Sequence, residues 1–201
     1  MNYNMKKVLC VCAAGLMCFF GSREVSGQAV KTNAPLLLAG TPNIGYEQTV
    51  SRQISLNADI LWAPYMFKKN ETVFRALIGS LDVRYYFNPK YYYTNDQYDG
   101  FYLGPYIEGG NFNIGLDRGE GRNSKRYKGW GISTGVSFGY KFYLSKRFRL
   151  DLNVGVGYAH LQYDTYKLGG EWANVPLSLK DTRAWVGPTK FGVHLVYNLF
   201  R

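Results

Sequence analysis

The stretch that decides the fold is "GWGISTGVSFGYKFYL", residues 129–144. Every second residue from Trp130 to Leu144 is bulky or apolar, apart from one threonine, and the residues between them are mostly glycine and serine with one lysine. A period of two places successive side chains on opposite faces, which predicts a β-strand with a bulky face and a small, polar face. In a soluble protein the bulky face would cover a core, whereas in a membrane barrel it would face lipid.

The same alternation recurs along the chain. It predicts further strands at residues 43–50, 54–62, 73–87, 101–114, 148–163 and 190–200, seven strands in all with the stretch quoted above. Single-chain bacterial membrane barrels have an even number of strands, so an eighth is expected, and "KTNAPLLLAG" (31–40) is the best candidate. We therefore predict an all-β fold, a closed antiparallel up-and-down transmembrane β-barrel of eight strands.

The connections indicate an orientation. "SRQ" (51–53) and "SKR" (145–147) are minimal turns, as on the periplasmic side of outer-membrane barrels. Residues 63–72, 115–126 and 164–183 are longer and polar and are predicted to be outer loops. The tyrosine-rich segment 88–99 falls on the side of the short turns, where its length is unusual and its role stays open.

Three features favour lipid on the bulky face. The opposite face is rich in glycine, which a narrow barrel interior needs and an exposed sheet disfavours. Aromatic residues near the strand ends are expected to form membrane-interface girdles, namely Trp62, Tyr85, Phe87, Phe101, Trp130, Tyr140 and Phe142. The third feature is an export signal at the amino terminus. A soluble barrel that encloses a ligand in an apolar interior is the alternative.

The amino-terminal segment 1–27 reads as a cleaved secretory signal peptide, which leaves residues 28–201 as the barrel domain. Two lysines precede an apolar run that is too short for a membrane-spanning helix, and small residues stand at the cleavage position. The three cysteines, at positions 10, 12 and 18, all lie in this segment, so disulfides and thiol chemistry are not expected in the mature protein. A lipoprotein anchor at Cys18 is the alternative.

The face opposite the bulky row carries charge, which is expected to form an interior polar network of Glu47, Asp59, Asp82, Arg84, Glu108, Lys141, Asp151 and His194. Asp151 or Glu108 is the expected partner of Lys141. Buried charges must be paired, so the network is read as a filler of the barrel, with a narrow polar pore as the alternative.

Catalysis is not expected. His160, Asp164 and Ser178 could form a lipid- or peptide-cleaving site at the outer rim, but an interface histidine beside a solvated loop is the simpler interpretation. No metal-ligand or phosphate-binding motif occurs, so no cofactor or metal is predicted. The formal net charge of +10 comes from scattered basic residues without a nucleic-acid motif, and no nucleic-acid partner is expected.

Several motifs together resemble one known family. They are "TPNIGYE" (41–47), "DVRYYF" (82–87), "YKGWG" (127–131), "VSFGYKFYLSKRFRLDLNVGVGYAHLQYDTY" (136–166) and "GPTKFGVHLVY" (187–197). They resemble a Bacteroidetes family catalogued as domain of unknown function 3575. The resemblance implies an outer-membrane β-barrel in a Gram-negative bacterium, with no established activity, and some members are encoded near fimbrial loci.

The expected function is therefore structural or surface-interacting. The barrel would contact outer-membrane lipid, and its outer loops would contact fimbrial or other envelope proteins. The alternatives are a small channel or transporter for small or apolar solutes, and an enzyme located at the rim.

Overall fold

The computed structural model describes residues 27–51, 53–67, 72–87, 99–115, 125–167 and 175–199. The predicted signal peptide therefore lies almost entirely outside the described residues. Eight strands and one short helix follow each other as β1 (Gln28–Asn33), α1 (Ala34–Leu38), β2 (Asn43–Thr49), β3 (Ile54–Phe67), β4 (Thr72–Tyr86), β5 (Gly100–Gly115), β6 (Lys125–Tyr143), β7 (Phe148–Lys167) and β8 (Pro176–Asn198). Each strand pairs antiparallel with its neighbours in sequence, and β1 pairs with β8. The predicted closed, up-and-down, eight-stranded β-barrel is confirmed.

The strands are staggered around the barrel. A row of paired residues that starts at Ala29 on β1 reaches Gly187 on β8, although Ala29 itself pairs with Asn198. This displacement tilts the strands against the barrel axis, as closure of a sheet requires. Eight tilted strands enclose a space that side chains can just fill.

The first strand corrects the prediction for residues 31–40. The strand begins earlier, at Gln28, and ends at Asn33, and "APLLL" is the helix α1 instead. Asn33 caps this helix, since its side-chain oxygen accepts a hydrogen bond from the backbone N–H of Leu36 at 3.4 Å. Pro35 in the first helical turn lacks the N–H that a strand would need, which explains why the chain leaves the sheet here.

At the ends opposite the tight turns, the strands extend further than predicted. Parts of each expected outer loop belong to strands, because β3 continues to Phe67, β5 to Gly115 and β7 to Lys167, while β6 begins at Lys125 and β8 at Pro176. The alternation of apolar and polar residues is weaker in these parts of the sequence. Both faces of a strand can be polar where its outer face no longer carries apolar side chains. Backbone hydrogen bonds continue the ladder there without a hydrophobic pattern to mark it. Residues 68–71, 116–124 and 168–174 lie outside the described residues.

The two short connections are tight turns at the same end of the barrel, as predicted. The backbone N–H of Val50 donates to the carbonyl of Ile54 at 2.9 Å, and that of Ser145 to the carbonyl of Phe148 at 3.0 Å. The tyrosine-rich segment falls on this end too, but apart from Asp99 it lies outside the described residues. We call this end the turn end and the opposite one the far end.

Glycines on the inner face make room for large interior side chains. A Cβ atom at Gly139 would lie 2.6 Å from the hydroxyl of Tyr102, and one at Gly155 would lie 2.9 Å from the ring of Tyr106. Such approaches are closer than packed atoms tolerate. The glycine row therefore reflects the packing of the interior, as the sequence pattern predicted.

Gly104 provides a direct test of a second kind of close packing, the approach of a glycine to the backbone of the neighbouring strand. A Cβ atom there would overlap the backbone carbonyl of Val83, whereas one at Gly79 meets nothing nearer than the carbonyl of Asp59 at 3.9 Å. We expect Gly104→Ala to destabilise the barrel by about 1–3 kcal/mol through overpacking, while Gly79→Ala stays within about 0.5 kcal/mol of the wild type. Urea unfolding of both variants in micelles measures the difference, and equal stabilities would contradict the packing described.

Candidate functional site in the barrel interior

Polarity is inverted in this barrel, because buried positions are mainly polar and large apolar side chains point outwards. The largest fully buried side chains include Arg84, Arg149, Lys31, Lys141 and Glu47, each at most 2% exposed. Outward residues remain widely accessible, for example Leu81 at 60% and Ile107 at 47%. The interior, with its buried charges, is the candidate functional site.

Glu47 on β2 is the centre of the first group of charges. Its carboxylate accepts hydrogen bonds from Lys141 Nζ at 2.7 Å and from Arg84 Nη1 at 3.1 Å. The hydroxyls of Ser55 and Tyr86 donate to it at 2.9 and 3.0 Å. These four donors come from β3, β4 and β6, so one carboxylate connects strands that lie on opposite sides of the barrel.

Asp151 on β7 continues the group. Arg84 Nη1 donates to it at 2.8 Å and the hydroxyl of Tyr102 at 2.6 Å. Lys31 Nζ lies 3.8 Å from Asp151 and 3.3 Å from Asp59. Arg84 contacts both Glu47 and Asp151, so the two carboxylates share one cation. Together with Lys31, these contacts link β1, β2, β4 and β7 across the interior.

A second group lies nearer the far end and is built around Asp82 on β4. Lys190 Nζ lies 2.8 Å from both carboxylate oxygens of Asp82 and donates to Ser80 at 3.1 Å. The amide of Asn57 donates to Asp82 and to Asp59, at 2.6 Å in each case. Asn57 thus joins the two groups into one set of contacts.

A third pair closes the turn end. Arg149 Nε lies 2.7 Å from Asp99, and the guanidinium stands 4.7 Å from the ring centre of Tyr143. Among the described residues, Glu47, Asp59, Asp82, Asp99 and Asp151 each lie within 4 Å of a cation. Their partners are Lys31, Arg84, Lys141, Arg149 and Lys190, and we call these ten residues the interior ion network.

The interior ion network is balanced in charge and fills the turn-end half of the barrel with side chains. Its members lie on every strand except β5, from which Tyr102 donates a hydrogen bond to Asp151. Desolvated charges are costly unless paired, and here each carboxylate has a partner of opposite sign. Chemically, this arrangement connects strands on opposite sides of the barrel through paired charges.

The predicted interior residues differ in where they lie. Six of the eight are buried, and Asp59 and Glu108 are half-buried. Six belong to the network, namely Glu47, Asp59, Asp82, Arg84, Lys141 and Asp151, and the partner of Lys141 is Glu47. The expected pairing of Lys141 with Asp151 or Glu108 is wrong, although Lys141 and Asp151 are cross-strand neighbours. His194 is buried beside the amide of Asn153, with 3.1 Å between Nδ1 and Nδ2. Glu108 is half-buried and lies outside the network.

Sequence reasoning missed several members of the network: Lys31, Asp99, Arg149 and Lys190. Arg149 and Lys190 could have been found, because each stands two residues before a position already assigned to the inner face. Both stand at the start of a predicted strand, where the alternation has only begun. Lys31 lies on the strand whose alternation was weakest, and Asp99 lies in a segment read as a loop.

The seven predicted girdle aromatics all point outwards. Tyr85, Phe87 and Phe101 form one group at the turn end, with ring centres 5.4 and 5.6 Å apart, and Tyr140 and Phe142 form another at 4.5 Å. Trp62 and Trp130 lie on one row of paired residues towards the far end. These two are inside their strands and not at strand ends, since β3 and β6 extend beyond them.

The rim constellation of His160, Asp164 and Ser178 is not assembled. The ring of His160 lies beside Trp130, with 6.1 Å between ring centres, while Ser178 donates to Asp181 at 2.6 Å. Ser178 pairs with Thr165, five residues along β7 from His160, which corresponds to about 16 Å. Within the described ranges, no group of three or more His, Cys, Asp and Glu side chains is placed to hold a metal ion.

Of the helices in the described part of the chain, none is long and apolar enough to cross a membrane.

Neither a curated protein nor a solved structure matches the chain. A family of proteins of unknown function, DUF3575, matches residues 8–199, which include every described strand. The resemblance of the sequence motifs is thereby confirmed, and the chain belongs to the DUF3575 family.

Proposed function

We propose that this chain is an integral outer-membrane β-barrel with a structural or surface-interaction role and no catalytic chemistry. The inverted polarity carries the proposal. Soluble monomers rarely expose contiguous apolar patches above a few hundred Å². Here the outward row of β6 alone presents Ile132, Val136, Phe138 and Tyr140, and neighbouring strands add similar rows. Lipid is the environment in which such a surface is stable.

The interior argues against a soluble ligand-binding barrel. Such a barrel encloses its ligand among apolar side chains and exposes polar ones to water. In this chain the central positions are held by Glu47, Arg84 and Asp151, and the bulky residues are outside. An exported chain with this distribution fits the outer membrane of a Gram-negative bacterium better than the periplasm.

The long strands at the far end support a surface-interaction role. A membrane-spanning strand needs about 9–11 residues, whereas β7 has 20 and β8 has 23. The β7–β8 hairpin would therefore project well beyond the bilayer. It exposes Leu177 and Leu179. This projection offers a contact surface for a fimbrial or other envelope protein.

A channel is the second candidate, and the interior ion network argues against it. Paired and buried side chains from β2, β4, β6 and β7 occupy the lumen at the level of Glu47 and Asp151. We therefore expect no steady conductance when the purified barrel is reconstituted in a planar bilayer. Stable, single-sized conductance steps would instead favour the channel, and Arg84→Ala, which opens the network, is the variant to compare.

Fractionation combined with gel mobility tests the membrane proposal. We expect the chain in the outer-membrane fraction, resistant to extraction at high pH. We also expect its unheated form to migrate differently from the boiled form, because folded membrane barrels keep their structure in the gel. A chain that stays in the soluble periplasm and shows no heat-dependent shift would overturn the proposal.

A further inference from the structure

A cavity of about 260 Å³ lies in the far-end half of the barrel, above the interior ion network. Its wall includes Ile78, Glu108, Phe112, Leu161, Trp185 and Pro188. All of its lining residues belong to β4, β5, β6, β7 or β8, and β1, β2 and β3 contribute none. The cavity is therefore walled on one side of the barrel only.

The strand lengths explain the missing wall. β1 pairs with β8 only as far as Asn33 opposite His194, and β2 pairs with β3 only as far as Asn43 opposite Leu61. Beyond these points both neighbouring strands extend further towards the far end, β8 to its first residue, Pro176, and β3 to its last residue, Phe67. No strand among the described residues lies between these two edges. The barrel wall consequently has a notch above the β1–β2 hairpin.

The lower edge of the notch is apolar. It is formed by α1, whose Leu37 and Leu38 side chains are exposed, Leu38 by 89%. Neighbouring β3 exposes Trp62 at a similar level of the wall, since Trp62 follows directly on the last residue paired with β2. An apolar molecule that approaches from the side would meet these residues before it reaches the cavity.

The lining of the cavity combines apolar surface with one carboxyl group. Glu108 is its only charged lining residue, and no hydrogen bond or ion pair within 4 Å joins it to another described side chain. The interior cation Lys190 is already held at 2.8 Å by Asp82. A half-buried carboxylate without a close partner favours a ligand that brings a positive charge or a strong donor.

Trp185 adds a second feature suited to a cation. Its indole nitrogen donates to the carbonyl of Pro188 at 3.2 Å, which fixes the orientation of the ring, and the side chain remains 50% exposed. Aromatic faces attract cations, and an aromatic wall beside a carboxylate is a common way to bind an organic ammonium group. Ile78, Phe112 and Leu161 provide the surface for an apolar tail.

We propose that this cavity binds small amphiphilic amines, with the ammonium group at Glu108 and Trp185 and the apolar tail against Ile78, Phe112 and Leu161, and that they enter sideways through the notch. The sideways route from lipid rests on the proposed membrane location, whereas the preference for a cation rests on the lining alone. The inference goes beyond a structural role, because it assigns a ligand site to the half of the barrel that the ion network leaves open.

The test uses the exported chain in phosphatidylcholine nanodiscs, with octylamine, octan-1-ol and octanoate as probes of equal tail length. We expect saturable binding of octylamine, at least about tenfold tighter than either other probe, which corresponds to about 1.4 kcal/mol. Glu108→Gln should remove this preference, while Asp164→Asn, a change at a carboxylate outside the cavity, should keep it. Ile78→Trp fills the cavity and should abolish binding of octylamine.

Three results would each contradict the proposed binding site. Equal binding of octylamine and octan-1-ol to the wild type, unchanged octylamine affinity in Glu108→Gln, or unsaturable uptake identical to empty nanodiscs would each do so. A heat-dependent gel shift of every variant shows that it is folded. The same shift separates a failure of this site from a failure of the membrane proposal, in which the wild type itself would show no shift.

Discussion

Replacing Glu47 with glutamine is expected to destabilise the folded barrel by about 3–5 kcal/mol, the usual cost of removing one partner from a buried ion pair. Glu47 is 2% exposed and accepts from Lys141 and Arg84. Arg84 would keep Asp151, but Lys141 would lose its only close carboxylate in the described structure. The amide is nearly the same size as the carboxylate, so the loss reports charge and not packing.

The matched control for this variant is Glu108→Gln. It makes the same chemical change at an inward glutamate without an ion pair, and we expect a change below about 1 kcal/mol. Urea unfolding in lipid vesicles, followed by gel mobility, gives both values. Adding Lys141→Met to Glu47→Gln removes the unpaired ammonium group and should recover part of the loss, a coupling that a double-mutant cycle measures. Equal stabilities of the Glu47 and Glu108 variants would contradict the role assigned to the network.

The second large effect is expected on the outer face. Leu81 points outwards from the middle of β4 and is 60% exposed. On a soluble protein, an exposed leucine can become arginine at little cost, but in a bilayer the change at mid-depth costs about 2–4 kcal/mol. We therefore expect Leu81→Arg to lower the free energy of unfolding in vesicles by that amount.

Leu179→Arg is the control for Leu81→Arg. Leu179 is 61% exposed, so the two positions have equal accessibility, but it lies on the part of β8 that would project beyond the bilayer. We expect its cost to stay within about 0–1 kcal/mol, as for charged substitutions near the interface. Equal losses of unfolding free energy in Leu81→Arg and Leu179→Arg would mean that both side chains lie in the same environment. This result would contradict the membrane barrel.

Alternation was enough to predict seven of the eight strands and which face of each of the seven is buried, and the even strand number of membrane barrels added the eighth. The stretch 129–144 is an example, because Ser133, Ser137 and Lys141 are buried and Val136 and Phe138 are exposed. A side-chain period of two is a local property, and it holds wherever one face meets apolar surroundings. The pattern is lost where both faces of a strand are exposed to water, so the sequence predicts loops where β3, β7 and β8 extend.

The partners inside the barrel could not be predicted in the same way. Lys141 and Glu47 are 94 residues apart, on strands that are not neighbours. Their contact depends on the tilt and radius of the closed barrel, whereas the sequence pattern only assigns each residue to a face. Strand pairing brings Lys141 opposite Asp151, and only the stagger across the lumen selects Glu47 instead. The bounds of β1 and the helix that follows it could not be predicted, because a strand of six residues carries too little alternation to locate its ends.

The central claim is that the bulky row of β6 faces lipid, and collision accessibility of spin labels tests it most directly. From Gln28 onwards the chain has no cysteine, so single cysteines at Val136, Phe138 and Leu179 can be labelled without background. In vesicles we expect nitroxides at Val136 and Phe138 to collide with oxygen, which concentrates in the bilayer, and to be shielded from a water-soluble nickel complex. The label at Leu179 should show the opposite preference. Nickel accessibility at Val136 and Phe138 equal to that at Leu179 would contradict the account.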